Sequence, residues 1–79
     1  MRLPRDISGA ELVKRLGRLG YHATRQTGSH IRLTCDLPYP HHVTVPNHDP
    51  LRAGTLAAII SEIAVVQRLD RDELTRQLF

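Results

Sequence analysis

The sequence predicts an α+β fold in which helices cover one face of a small three-stranded antiparallel sheet and leave its other face open. Three observations lead there. Apolar residues recur at helical spacing through Leu12, Val13, Leu16 and Leu19 and again through Leu56, Ile59, Ile60 and Ile63. Between these stretches the period drops to two, in His30-Ile31-Arg32-Leu33-Thr34-Cys35 and in His42-Val43-Thr44-Val45. Glycines and prolines punctuate the chain between these segments.

Ser8-Gly9-Ala10-Glu11 reads as a capping box, so a helix starts at Gly9, with the Ser8 hydroxyl taking an early amide and Glu11 reaching back. Lys14, Arg15 and Arg18 fall opposite its apolar stripe, and Gly20 supplies a left-handed stop. Tyr21 to Gln26 is a first strand, joined through the turn Thr27-Gly28-Ser29 to the His30 strand as a hairpin. Asp36-Leu37-Pro38-Tyr39-Pro40 is a loop, because its two prolines remove ladder donors. Val43 and Val45 mark a third strand that Pro46 ends, followed by a turn at Asn47-His48-Asp49-Pro50. Thr55 caps a second helix running to Gln67 or Arg68, and Asp70-Arg71-Asp72-Glu73 opens a short last helix that buries Leu74 and Leu78.

With 79 residues there is room for one domain, residues 1–79, and one modest core. Cys35 is the only cysteine, which excludes an internal disulfide, and no apolar run is long enough to span a bilayer. The pattern of a signal peptide is missing as well, so the expected compartment is the cytoplasm, with no membrane partner. The formal charge of +3, from ten arginines and one lysine against eight acidic residues, suits a polyanion but equally suits ordinary solubility. Location must decide between them.

The turn into the second strand is where the location is informative. Ile31, Leu33 and Cys35 point one way, so His30, Arg32 and Thr34 point to solvent. An imidazole exchanges protons near neutral pH, a guanidinium holds anionic oxygens in a fork, and Gly28 lets a large backbone approach. Phosphate chemistry follows. Arg25, just before the turn, is a second cation for it, and Ser29 or its amide a further donor. As a surface pair, Arg32 would instead face a carboxylate across the sheet. His22, His41 and His42 read as loop and strand surface, and Lys14, Arg15 and Arg18 as a wet helix face or a track for an RNA backbone.

Ser8-Gly9, Leu16 to Gly20-Tyr21, Arg25-Gln26, Gly28-Ser29-His30, Val45-Pro46 with His48 two residues on, and Gly54-Thr55-Leu56 together resemble the HicA family of small toxins. The similarity runs from about Ile7 to Ile63. It implies a double-stranded-RNA-binding-domain-like fold, a toxin–antitoxin pair, cleavage of messenger RNA with His30 as the catalytic histidine, and neutralisation by a cognate HicB-type antitoxin. The chain departs from the family pattern in its Asp36 to His41 loop and in a few extra residues around Ala64 to Leu69.

RNA carries its own nucleophile, so an enzyme need only take the 2′-hydroxyl proton, stabilise charge on phosphorus and help the 5′-oxygen leave. His30 is the candidate base, and either protonated His30 or His48, in the loop after the third strand, is the candidate acid. DNA, which lacks the hydroxyl, is not an expected substrate. A zinc site built from His30, Cys35, His41, His42 and His48 lacks paired ligand spacing, and Asp36 and Asp49 are too isolated to hold magnesium, so no cofactor is expected. Two other functions fit the same pattern: a non-catalytic RNA-binding module of similar fold, and a small protein-interaction domain offering an open sheet.

Overall fold

The computed structural model describes residues 2–79. Ser8 holds extended backbone, and its Oγ accepts the Glu11 amide at 3.0 Å to open α1 (Gly9–Leu16). The Glu11 carboxylate does not reach back as the capping-box pattern predicts; it pairs with Arg15, 3.5 Å away and one turn on. After Leu16 the chain tightens into a 3₁₀ turn (Gly17–Leu19), so the α-helix ends a turn before the apolar stripe does. Gly20 then takes the left-handed conformation, φ +93°, and the Tyr21 amide bonds back to the Leu16 carbonyl at 3.2 Å.

Three antiparallel strands follow as a meander, β1 (His22–Thr27), β2 (His30–Cys35) and β3 (His41–Pro46), in the order β1-β2-β3. β1 begins one residue later than its polar and apolar pattern implies, because Tyr21 is committed to the core. Ile31, Leu33 and Cys35 of β2 and Val43 and Val45 of β3 are buried beneath the helices. Every residue of β1 is exposed. The apolar face is therefore the work of two strands, and β1, whose sequence is His-Ala-Thr-Arg-Gln-Thr, overhangs them as an edge.

α2 (Ala53–Gln67) begins two residues before Thr55, which lies inside its first turn rather than at its cap. The neighbouring residue explains this. Leu51 is buried and its amide is bonded to the Ile7 carbonyl at 2.8 Å, so the chain is anchored there and Arg52 already supplies the first helical acceptor, to Leu56 at 3.0 Å. Arg68 closes α2 in the left-handed region, φ 57°, and Leu69 bonds back to Ala64 at 3.0 Å. α3 (Arg71–Leu78) opens on Asp70, whose Oδ1 accepts the Glu73 amide at 2.7 Å.

Leu12 and Leu16 of α1, Leu56, Ile60 and Ile63 of α2, and Leu74 and Leu78 of α3 meet Leu33 and Val45 in one core. Arg15 of α1 and Arg18 of the 3₁₀ turn are part of this assembly and not merely its wet face. Arg15 donates to the Leu78 carbonyl at 2.9 Å, Arg18 approaches the same oxygen at 3.5 Å, and the Arg15 guanidinium lies 5.3 Å from the centre of the Phe79 ring. With their charge occupied at the end of α3, Arg15 and Arg18 are poorly disposed to track an RNA backbone. Among the described residues no helix covers the outer face of the sheet.

Candidate active site

Gly28 has φ +55° at the β1–β2 turn, a conformation that disfavours side chains, and nothing stands within 4 Å of where a Cβ would be. Glycine thus serves the turn's geometry and leaves the approach to it clear. The Ser29 carbonyl accepts the Asn47 amide at 2.6 Å, which ties the turn to the segment after β3. His30, the first residue of β2, is paired with Thr27 on one side and Pro46 on the other. Its ring is exposed and makes no hydrogen bond to the described residues.

The same corner receives the start of α1. The Gly9 amide donates to the His48 carbonyl at 2.8 Å, and Gly9 packs so closely that a Cβ there would overlap the Pro46 carbonyl oxygen. Gly9, Gly28-Ser29-His30 and Pro46-Asn47-His48 are far apart in the chain and adjacent here. His48 is thereby placed by its backbone, while its imidazole is exposed.

Arg25 and Arg32 are cross-strand partners, and Arg32 is flanked on its other side by Thr44. Among the described residues no carboxylate pairs across the sheet with Arg32, contrary to the ordinary surface pairing. A β-bulge between Ala23 and Arg25 is responsible for Arg25 being there. Counting alternately from buried Tyr21 would put Arg25 on the helix side; the extra residue, Thr24, brings it to the outer face with Arg32. Like charges directly opposed cost stability unless an anion lies between or above them.

The outer face consists of three cross-strand rows: Thr27–His30–Pro46 at the turn, Arg25–Arg32–Thr44 next, and His22–Thr34–His42 beyond. Its His and Arg side chains are exposed, and none of these residues is acidic. Of the residues singled out from the sequence, His30, Arg25 and Arg32 therefore share a face, with Gly28 and Ser29 in its bordering turn. The face is open, unlike the cleft of about 370 Å³ bordered by Pro4, Arg5, Asp6, Ile7, Glu11, Arg15 and Phe79, to which no strand contributes. An extended polymer fits such a surface better than an enclosed small molecule does.

His41, which the sequence places on the surface, is half-buried at the far end of the sheet. Its Nε2 lies 2.7 Å from the Tyr21 hydroxyl and its Nδ1 2.6 Å from the Tyr39 carbonyl. Gln67 of α2 donates to that hydroxyl at 3.1 Å and to the Leu37 carbonyl at 2.9 Å. This network straps the β2–β3 loop to α2, and burial pushes the Tyr21 phenol above its ordinary pKa. Sequence spacing offers no signal for it, since Gln67 and Tyr21 are 46 residues apart.

The family model described as the HicA toxin of bacterial toxin-antitoxin matches residues 9–65, most of the chain. The chain belongs to the HicA toxin family. Its role is accordingly that of a toxin acting opposite an antitoxin. The observed fold, three antiparallel strands with three helices, is consistent with the double-stranded-RNA-binding-domain-like arrangement that goes with HicA. Comparison with curated proteins and with solved structures returns no match. Among the described residues of this HicA toxin, no helix is long and apolar enough to cross a membrane, and no three His, Cys, Asp or Glu side chains gather as a metal site would require.

Proposed function

We propose that this HicA-family chain is a metal-independent endoribonuclease that cuts single-stranded messenger RNA in the cytoplasm, with His30 as its catalytic residue. The observation that carries this reading is the placement of His30 one row from the facing Arg25 and Arg32, on an exposed polar surface. His30 takes the proton of the 2′-hydroxyl as its oxygen attacks phosphorus. Arg25 and Arg32 hold the non-bridging oxygens as charge builds on them, and the Gly28-Ser29 turn borders the substrate. The bond from phosphorus to the 5′-oxygen breaks, and that oxygen receives a proton from protonated His30 or from His48. The products are a 2′,3′-cyclic phosphate and a 5′-hydroxyl. Magnesium chemistry would call for carboxylates beside His30, whereas the three rows carry only hydroxyl, imidazole, guanidinium and prolyl groups.

The antitoxin expected of the pair is a HicB-type protein whose acidic surface covers this face, since the face is cationic and bears no carboxylate of its own. DNA does not serve as substrate. The test is incubation of the purified chain with single-stranded RNA in the presence of chelator, with end-group analysis of the fragments. Cyclic phosphate and 5′-hydroxyl ends are expected, with His30→Ala and His30→Gln both folded and inactive and the co-expressed antitoxin blocking cleavage. Cutting by folded His30→Ala would remove His30 from the mechanism. Rescue of chelated enzyme by magnesium would overturn the metal-free route, and RNA binding without cleavage would leave a binding module.

A further inference from the structure

The third row of the outer face, His22–Thr34–His42, has no part in the steps assigned to His30 and the two arginines. It is nevertheless built. The Thr34 hydroxyl lies 3.1 Å from Nδ1 of His42 and 2.9 Å from the Thr24 hydroxyl, which is itself 3.5 Å from the Arg32 carbonyl. A line of hydroxyls thus runs from the bulged residue of β1 across β2 to the imidazole of β3. It fixes one ring nitrogen of His42 and leaves Nε2 without a hydrogen-bond partner among the described residues, on an exposed side chain. The neutral ring has two arrangements: with Thr34 donating to Nδ1, Nε2 carries the proton, and with Nδ1–H donating to Thr34, Nε2 faces outward as an acceptor. Either arrangement aims an oriented Nε2 outward, a donor in the first and an acceptor in the second. On a cationic surface such a nitrogen is suited to the RNA backbone, as a donor to a phosphate or ribose oxygen and as an acceptor for a ribose hydroxyl.

The distance is also suitable. Thr34 is four residues from His30 along β2, roughly 13 Å at the usual strand rise. The row is therefore too far to touch the reacting phosphate and near enough to meet the same strand a short way along. The Arg25–Arg32 row lies between them. Resting on the nuclease reading above, we infer that the His22–Thr34–His42 row is a second RNA-backbone subsite, in which His42, oriented by Thr34, grips the substrate away from the scissile bond. Its effect is on binding, not on the chemical step.

The test pairs protein variants with substrate length. The cut is first mapped on a long single-stranded RNA, and the RNA is then shortened stepwise from either end toward the cut. On long RNA, His42→Ala raises KM about three- to tenfold with kcat unchanged. Thr34→Val, which keeps the shape of the side chain and removes the orienting hydroxyl, gives a smaller rise, and His42→Gln, whose amide nitrogen can take the place of Nε2, restores part of the loss. On an RNA too short to reach the row, wild type and His42→Ala have the same KM. An effect of equal size at every length, a fall in kcat alone, or no effect in variants that melt like wild type overturns the inference while leaving the nuclease reading standing. If wild type cuts no RNA, the nuclease reading fails, and anisotropy with the same labelled RNAs decides the subsite: length-dependent weakening by His42→Ala upholds it, and equal binding overturns it. Should His42→Ala weaken only the complex with the antitoxin, the row belongs to a protein interface and the inference is wrong.

Discussion

Arg25 and Arg32 show how an exposed pair can work against the fold. Facing each other across β1 and β2, they repel, and Arg25→Gln is expected to raise stability by about 0.2–1 kcal/mol. On the proposed function the same change is expected to weaken RNA binding and to lower its salt slope by about 1, as the loss of one phosphate contact would. Thermal melting, with salt-dependent binding measured in a His30→Ala background, checks both directions; loss of stability with unchanged affinity would make the pair structural. Tyr21 behaves oppositely, as a polar group that serves the core. Burial raises its phenol above the ordinary value of 10.0, so the folded state favours the neutral form. Its contribution is complete below the unfolded value and is lost as pH rises through the folded one. Melting temperatures are therefore expected to fall more steeply above pH 10 for wild type than for Tyr21→Phe, and parallel curves would contradict this. His30 and Arg32 were legible on the polar face because β2 alternates regularly. Arg25 was recognisable as a candidate, but its face was not, since one unpaired residue reverses the count. His42 and Thr34 gave no signal, because their relation is across strands.

The elements were legible wherever a local interaction sets them. Ser8 and Asp70 each bond the amide three residues on, and Gly20 turns left-handed, as their positions imply. Where a distant contact decides, the sequence misleads: Leu51, bonded to Ile7, starts α2 ahead of Thr55, and the Tyr21–His41–Gln67 network draws a strand histidine inward. Gly9 belongs to both kinds. It reads as the first helical residue, yet the structure requires glycine there because α1 rests against the end of β3. Gly9→Ala would gain helix propensity of up to about 1 kcal/mol, but the overlap with a backbone carbonyl outweighs this, for a net loss of about 1–3 kcal/mol. Since Pro46 is the strand partner of His30, cleavage should also fall at temperatures where the variant remains folded. A variant as stable and active as wild type would show that α1 can shift freely.

At the scale of the whole molecule, one side of the sheet is spent on the core and the other is free for a polymer or a protein. That division was predictable from alternation in β2 and β3 and the two helical stripes. It was less predictable that β1 would bury nothing. The bulge in this strand has a consequence for its length. Removing a residue from within a strand ordinarily turns every side chain beyond the gap to the wrong surface. Here Thr24 is supernumerary: with it gone, Tyr21 and Ala23 still point inward and Arg25 and Thr27 still point outward, in plain alternation. Deletion of Thr24 should therefore give a cooperatively folding protein that keeps its arginines opposed, and one-dimensional NMR with thermal melting would reveal a collapse of the sheet if the residue were essential. What the deletion takes away is local twist and the tail of the hydroxyl line to His42. The edge strand thus holds a spare residue, a place where chain length can change by one without rewriting either surface of the sheet.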